Sequence, residues 1–106
     1  MAEFRLEDLE AIVAARAADP AAKSYTRTLL EAGTARAAKK FGEEAVELVI
    51  AAAQGERRET VAEAADALFH LLVLLRCEKI ALAEVLAELE RRTGRSGLDE
   101  KASRTA

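Results

Sequence analysis

Apolar residues return every three or four positions along almost the whole chain, and the main interruptions are Asp19-Pro20, Gly33, Gly55 and Gly94. That period buries one face of a helix, whereas a half-buried strand requires strict alternation. Five glycines and one proline leave little turn chemistry for a β-sandwich. The expectation is an all-α fold of four to five helices. The 106 residues suffice for a single domain, 1–106, with one modest core, and 95–106 read as a polar basic tail. Aromatics make up only 4% of the chain, so the rods are thin and pack closely.

Leu6, Leu9, Ile12 and Val13 set the first helix, which Asp19-Pro20 breaks. Ser24 or Thr26 is a candidate N-cap for a short second helix ending at Gly33. The third is expected from Thr34 to Gln54, the fourth from Glu56 to Glu78, and the fifth from Ala81 to Thr93. On the third, Phe41, Ala45, Leu48, Val49 and Ala52 share one face, and Lys40, Glu44, Glu47 and Ala51 the opposite one. Gly42 lies inside that helix at a cost of about 1 kcal/mol relative to Ala, which suggests close approach of a neighbouring helix or a ligand. On the fourth, Glu59, Glu63, Asp66, His70 and Cys77 form one stripe. Beyond His70 this helix is apolar nearly all round. Covering it takes more surface than so small a chain supplies, so a homodimer is expected.

A net charge of −3 argues against nucleic-acid partners. The longest apolar stretch, Ala67 to Leu75, contains His70 and falls well short of the ~20 residues that span a bilayer. Cys77 is alone, so no intramolecular disulfide forms. With no secretory signal at the start, a cytoplasmic location is expected.

Two pairs of acids carry the chemistry: Glu44 with Glu47, and Glu63 with Asp66. Residues three apart are neighbours on a helix, and like charges there destabilise it unless something neutralises them. Antiparallel helices could bring all four carboxylates together around a divalent cation. The donor set favours Mg²⁺, because zinc prefers nitrogen and sulfur and the chain has one His and one Cys. The alternative is a solvated acidic face. Glu43 and Glu59 flank the pairs and suit either a second metal or water. His70, one turn beyond Asp66, suits either orientation of an acid or a satisfied place in a helical interface. Lys40 has two roles open to it: pairing with Glu44 one turn on, or balancing substrate phosphate. Cys77 reads as a small core residue.

The run KKFGEEAVELVIAAA from Lys39 to Ala53, then EAADALFHLLVLL from Glu63 to Leu75, resembles phosphoribosyl-ATP pyrophosphohydrolase of histidine biosynthesis. SYT at Ser24 to Thr26 and the segment RTGRSGLDEKASR ending at Arg104 agree with that resemblance. The acidic E-E-x-x-E and E-x-x-D signature is shared with the wider MazG-like all-α superfamily and is less specific. The resemblance implies Mg²⁺ ligands at Glu44, Glu47, Glu63 and Asp66 and matches Glu43 to the first acid of the motif; a carboxylate with a free oxygen, Glu47 or Glu43, is the candidate to take a proton from water. The resemblance also implies phosphate contacts from Lys39, Lys40, Lys101 and Arg104, and a MazG-like bundle completed by homodimerisation. The implied reaction converts phosphoribosyl-ATP to phosphoribosyl-AMP and pyrophosphate. Phe69 departs from the family, where Tyr is common, and so lacks a hydroxyl; Phe41 stands where a smaller aliphatic residue is common. Two rivals share parts of this pattern: a housekeeping MazG- or dUTPase-like triphosphate pyrophosphohydrolase, and a helical dimerisation module without activity.

Overall fold

The computed structural model describes residues 3–19 and 25–94, and these form five helices with no strand among them. Helix α1 spans Leu6–Ala18, α2 Tyr25–Ala32, α3 Thr34–Ala53, α4 Arg57–Cys77 and α5 Leu82–Thr93. All five lie within a residue or two of their expected limits. Thr26 is inside α2 rather than at its cap, while Ser24 lies outside the described residues.

The helix ends explain the boundaries. At the start of α1 the Asp8 carboxylate accepts the Arg5 backbone N–H at 2.9 Å, and at the start of α5 Glu84 accepts that of Ala81 at 2.9 Å. Each acid satisfies an amide that the helix leaves unpaired and sits at the positive end of the dipole. Helix α3 ends with Gly55 at φ +71°, Gly55 N–H donating to Ala52 O and Glu56 N–H to Ala51 O, both at 3.1 Å. This is the Schellman arrangement. Helix α4 ends the same way, with Lys79 N–H on Arg76 O at 3.0 Å and Ile80 N–H on Leu75 O at 2.9 Å, yet Lys79 supplies the left-handed residue at φ +58°.

Helices α3 and α4 form an antiparallel hairpin with the most extensive contact in the fold. Helix α1 packs on α4 and α2, and α2 packs on both arms of the hairpin. Val13, Leu29, Ala37, Leu72, Val73 and Leu82 make the core, with Leu9, Phe69, Leu75 and Cys77 packed against it. Helix α5 packs extensively on no other helix; it is held at its root, where Leu82 is buried and its N–H donates to Glu10 Oε2 at 2.7 Å.

One sequence expectation, close approach at Gly42, is corrected. The α3 face that packs inward carries Ala37, Glu44 and Ala51, while Val46, Val49, Ile50 and Ala52 lie exposed. The anionic stripe therefore meets α4, and much of the apolar stripe meets solvent. A Cβ built on Gly42 would meet nothing within 4 Å, so among the described residues no neighbouring helix approaches closely there.

Candidate metal centre

The hairpin sets the geometry of the acids. Helix α3 offers Lys40, Glu43, Glu44 and Glu47, and α4 runs back beside it with Glu63, Asp66 and His70. One carboxylate oxygen from each of Glu44, Glu63 and Asp66 lies within 4.8 Å of the others, close enough to share one ion. Among the described residues this is the one group of three that could do so. Glu47 lies between the two arms, in hydrogen-bonding reach of both Glu44 and Glu63.

The electrostatics are asymmetric. Glu44 is buried and ion-paired, with Lys40 Nζ 3.1 Å from its Oε1. That hydrogen bond, against an opposing burial cost, holds the Glu44 carboxyl below its ordinary range and raises the Lys40 ammonium. Glu63 is pushed the other way: its partial burial comes first, then a proton shared with Glu47, then the charges of Glu47, Asp66 and Glu44. One Glu63 oxygen, Oε2, is sealed from solvent with no hydrogen-bond partner. An orphaned acceptor among crowded anions is what a hard cation with oxygen ligands would satisfy. The donor set fits Mg²⁺, which takes carboxylates and leaves positions for water and phosphate oxygens.

From this cluster an open groove of about 430 Å³ runs toward the α3–α4 turn, lined by Glu47, Ile50, Gln54, Glu56, Glu59 and Glu63. A larger hollow of about 690 Å³ lies elsewhere, between α1 and the C-terminal end of α4, and holds none of the candidate residues. Glu43 and Lys39 stand exposed on the outer side of α3, and Lys101 and Arg104 lie outside the described residues.

His70 is buried and doubly bonded. Its Nδ1 lies 2.7 Å from the Asp66 backbone carbonyl, which can only accept, so Nδ1 carries the proton. Nε2 then accepts from the Tyr25 hydroxyl at 3.0 Å. His70 therefore touches the Asp66 backbone and not its carboxylate, which is the satisfied-interface role. The sequence offered Tyr25 only within the SYT segment, and its bond to His70 was not legible there, because nothing in local spacing links residues 45 positions apart. Burial raises the Cys77 thiol, as suits a packed and unreactive sulfur.

A family model for phosphoribosyl-ATP pyrophosphohydrolase matches residues 6–93. The chain is similar to phosphoribosyl-ATP pyrophosphatase 1 of Rhodopseudomonas palustris, 56% identical over 98% of this chain and 97% of the relative. It is similar to the phosphoribosyl-ATP pyrophosphatases of Methylobacterium nodulans and Agrobacterium fabrum, each 58% identical over 98% of this chain and 97% of the relative.

Proposed function

The chain belongs to the phosphoribosyl-ATP pyrophosphohydrolase family, and from that premise we propose that it hydrolyses phosphoribosyl-ATP to phosphoribosyl-AMP and pyrophosphate, the second step of histidine biosynthesis. The observation that carries a metal-assisted route is the convergence of Glu44, Glu63 and Asp66 from two helices, with one Glu63 oxygen left without a partner.

In this reading Glu44, Glu47, Glu63 and Asp66 hold Mg²⁺. Bound there, the ion supplies charge withdrawal from phosphate oxygens and a more acidic water. Glu47, shared between the arms, keeps an oxygen free to take the proton of the attacking water. Glu43, on the outer side of α3, is the second candidate for that duty. Cleavage falls between the α and β phosphates, and no covalent intermediate on the chain is required. Phosphoryl transfer depends mainly on positioning and charge stabilisation. Lys40, already fixed against Glu44, and Lys39 beside it supply positive charge near the phosphates, with Lys101 and Arg104 as further contacts. The groove beyond Glu47 is lined by acids, so the phosphates must enter with their cation.

A homodimer accompanies the reading. Val46, Val49 and Ile50 on α3 and Val61 and Leu68 on α4 are exposed, and a second copy would cover them. Among the described residues no helix is long and apolar enough to cross a membrane. An unpaired thiol at Cys77 suits a reducing compartment such as the cytoplasm. The decisive experiment is pyrophosphate release from phosphoribosyl-ATP with and without Mg²⁺. Release that needs the metal supports the assignment; release from deoxynucleoside triphosphates but not from phosphoribosyl-ATP would overturn it.

A further inference from the structure

We propose that the ring of Tyr25 is the surface on which the purine of the nucleotide substrate stacks, and that His70 is the positioning residue that orients it. Tyr25 opens α2 and is 53% exposed. A half-exposed tyrosine ordinarily buries its ring and leaves its hydroxyl in water. Here the hydroxyl is bonded to a buried imidazole at 3.0 Å, while the residue as a whole stays half-exposed. Two further contacts fix its orientation: it lies offset-stacked on Phe69, with centroids 6.4 Å apart and planes at 19°, and edge-on to His70 at 5.7 Å and 79°. The imidazole cannot swing, because its other nitrogen is tied to the Asp66 carbonyl at 2.7 Å. The platform is thus rigid before any ligand arrives, which lowers the ordering cost of binding.

Its location matches the chemistry. Tyr25 is bonded to His70 at 3.0 Å and His70 to the Asp66 backbone at 2.7 Å, and Asp66 is one of the three clustered carboxylates, so the ring stands two hydrogen bonds from a residue of that group. In a nucleotide the purine stands one ribose away from the α-phosphate. A phosphate chain over the acids and a base over Tyr25 are compatible placements for one molecule.

The proposal rests on the nucleotide-hydrolysing reading of the carboxylates, and its test separates the two. Tyr25 is the single tyrosine and there is no tryptophan, so tyrosine-labelled protein gives one set of ring signals by NMR. Titration with AMP in the presence of Mg²⁺ is expected to move those signals upfield by the purine ring current, whereas pyrophosphate with Mg²⁺ leaves them in place. In kinetics with phosphoribosyl-ATP, Tyr25→Leu is expected to raise KM roughly 10-fold while kcat changes much less, since a stacked base contributes to binding outside the reacting bond. Tyr25→Phe keeps the ring and loses its tie to His70, so a smaller rise in KM is expected. Ring signals unmoved by saturating AMP, or a Tyr25→Leu protein whose KM equals the wild-type value or whose loss falls on kcat, would overturn the proposal. Failure of the wild type to release pyrophosphate from phosphoribosyl-ATP would count against the activity instead, and the AMP titration stands independently of it.

Discussion

Glu63 bears most of the strain in the acidic group: a sealed oxygen without a partner, and three carboxylates beside it. Replacing it by Gln removes a charge from that crowd. In EDTA, Glu63→Gln is expected to melt at a higher temperature than the wild type, and the rise in Tm on adding Mg²⁺ is expected to shrink sharply. For the wild type, ion at about 100 times its Kd should add ~2.7 kcal/mol, readable by calorimetry; no Mg²⁺-dependent shift would remove the metal from the proposal. Glu47→Gln is expected to leave the fold intact and cost at least ~10²-fold in pyrophosphate release, as loss of a proton acceptor does. The acids were legible in the sequence because three-residue spacing is a local fact about a helix. The Tyr25–His70 bond was not, since it depends on how α2 lies on α4.

The elements show why their limits were so readable. Gly33, Gly55 and Gly94 marked three ends in advance. Gly33 is the sharpest case, at φ +94° and ψ 175° with nothing near its missing Cβ. That backbone is open almost only to glycine, so Gly33→Ala is expected to cost ~1–3 kcal/mol in urea unfolding. The end of α4 was expected at Glu78 without a glycine to mark it, and there Lys79 occupies the left-handed position. Lys79→Gly is therefore expected to stabilise the chain by ~1 kcal/mol, from the relieved Cβ contact less the added chain entropy. Helix α5 carries its own pH dependence. Glu88 accepts from Arg91 Nε at 3.1 Å and from Arg92 Nε at 3.1 Å, and these hydrogen bonds hold its carboxyl down to about 2. A lowered folded-state value means that the unfolded chain takes up the proton first as pH falls. The contribution is complete above the ordinary value of 4.5 and is lost on descent toward about 2. Protection of the α5 amides, taken relative to the intrinsic exchange rate at each pH, is expected to fall across that window and, because the group is exposed, to depend on salt.

At the scale of the whole molecule the fold class and helix count followed from periodicity, but which apolar residues α3 leaves in solvent did not. Periodicity separates an apolar stripe from a polar one without saying which meets the neighbouring helix. Here the stripe with Glu44 meets α4, and Val46, Val49 and Ile50 are turned outward, exposed at 57%, 65% and 50%. In the proposed homodimer a second copy covers that face, so Val49→Asp is expected to shift sedimentation toward monomer, because a charge there must lose water on being covered. An unchanged dimer would place the interface elsewhere. The two carboxylate sources stand on opposite arms of a hairpin whose turn is a single Schellman end at Gly55. In the function proposed above, a cation between those arms would also staple them, so that starving the protein of it would idle the catalyst and, by the same stroke, loosen the clasp that keeps its longest rods together.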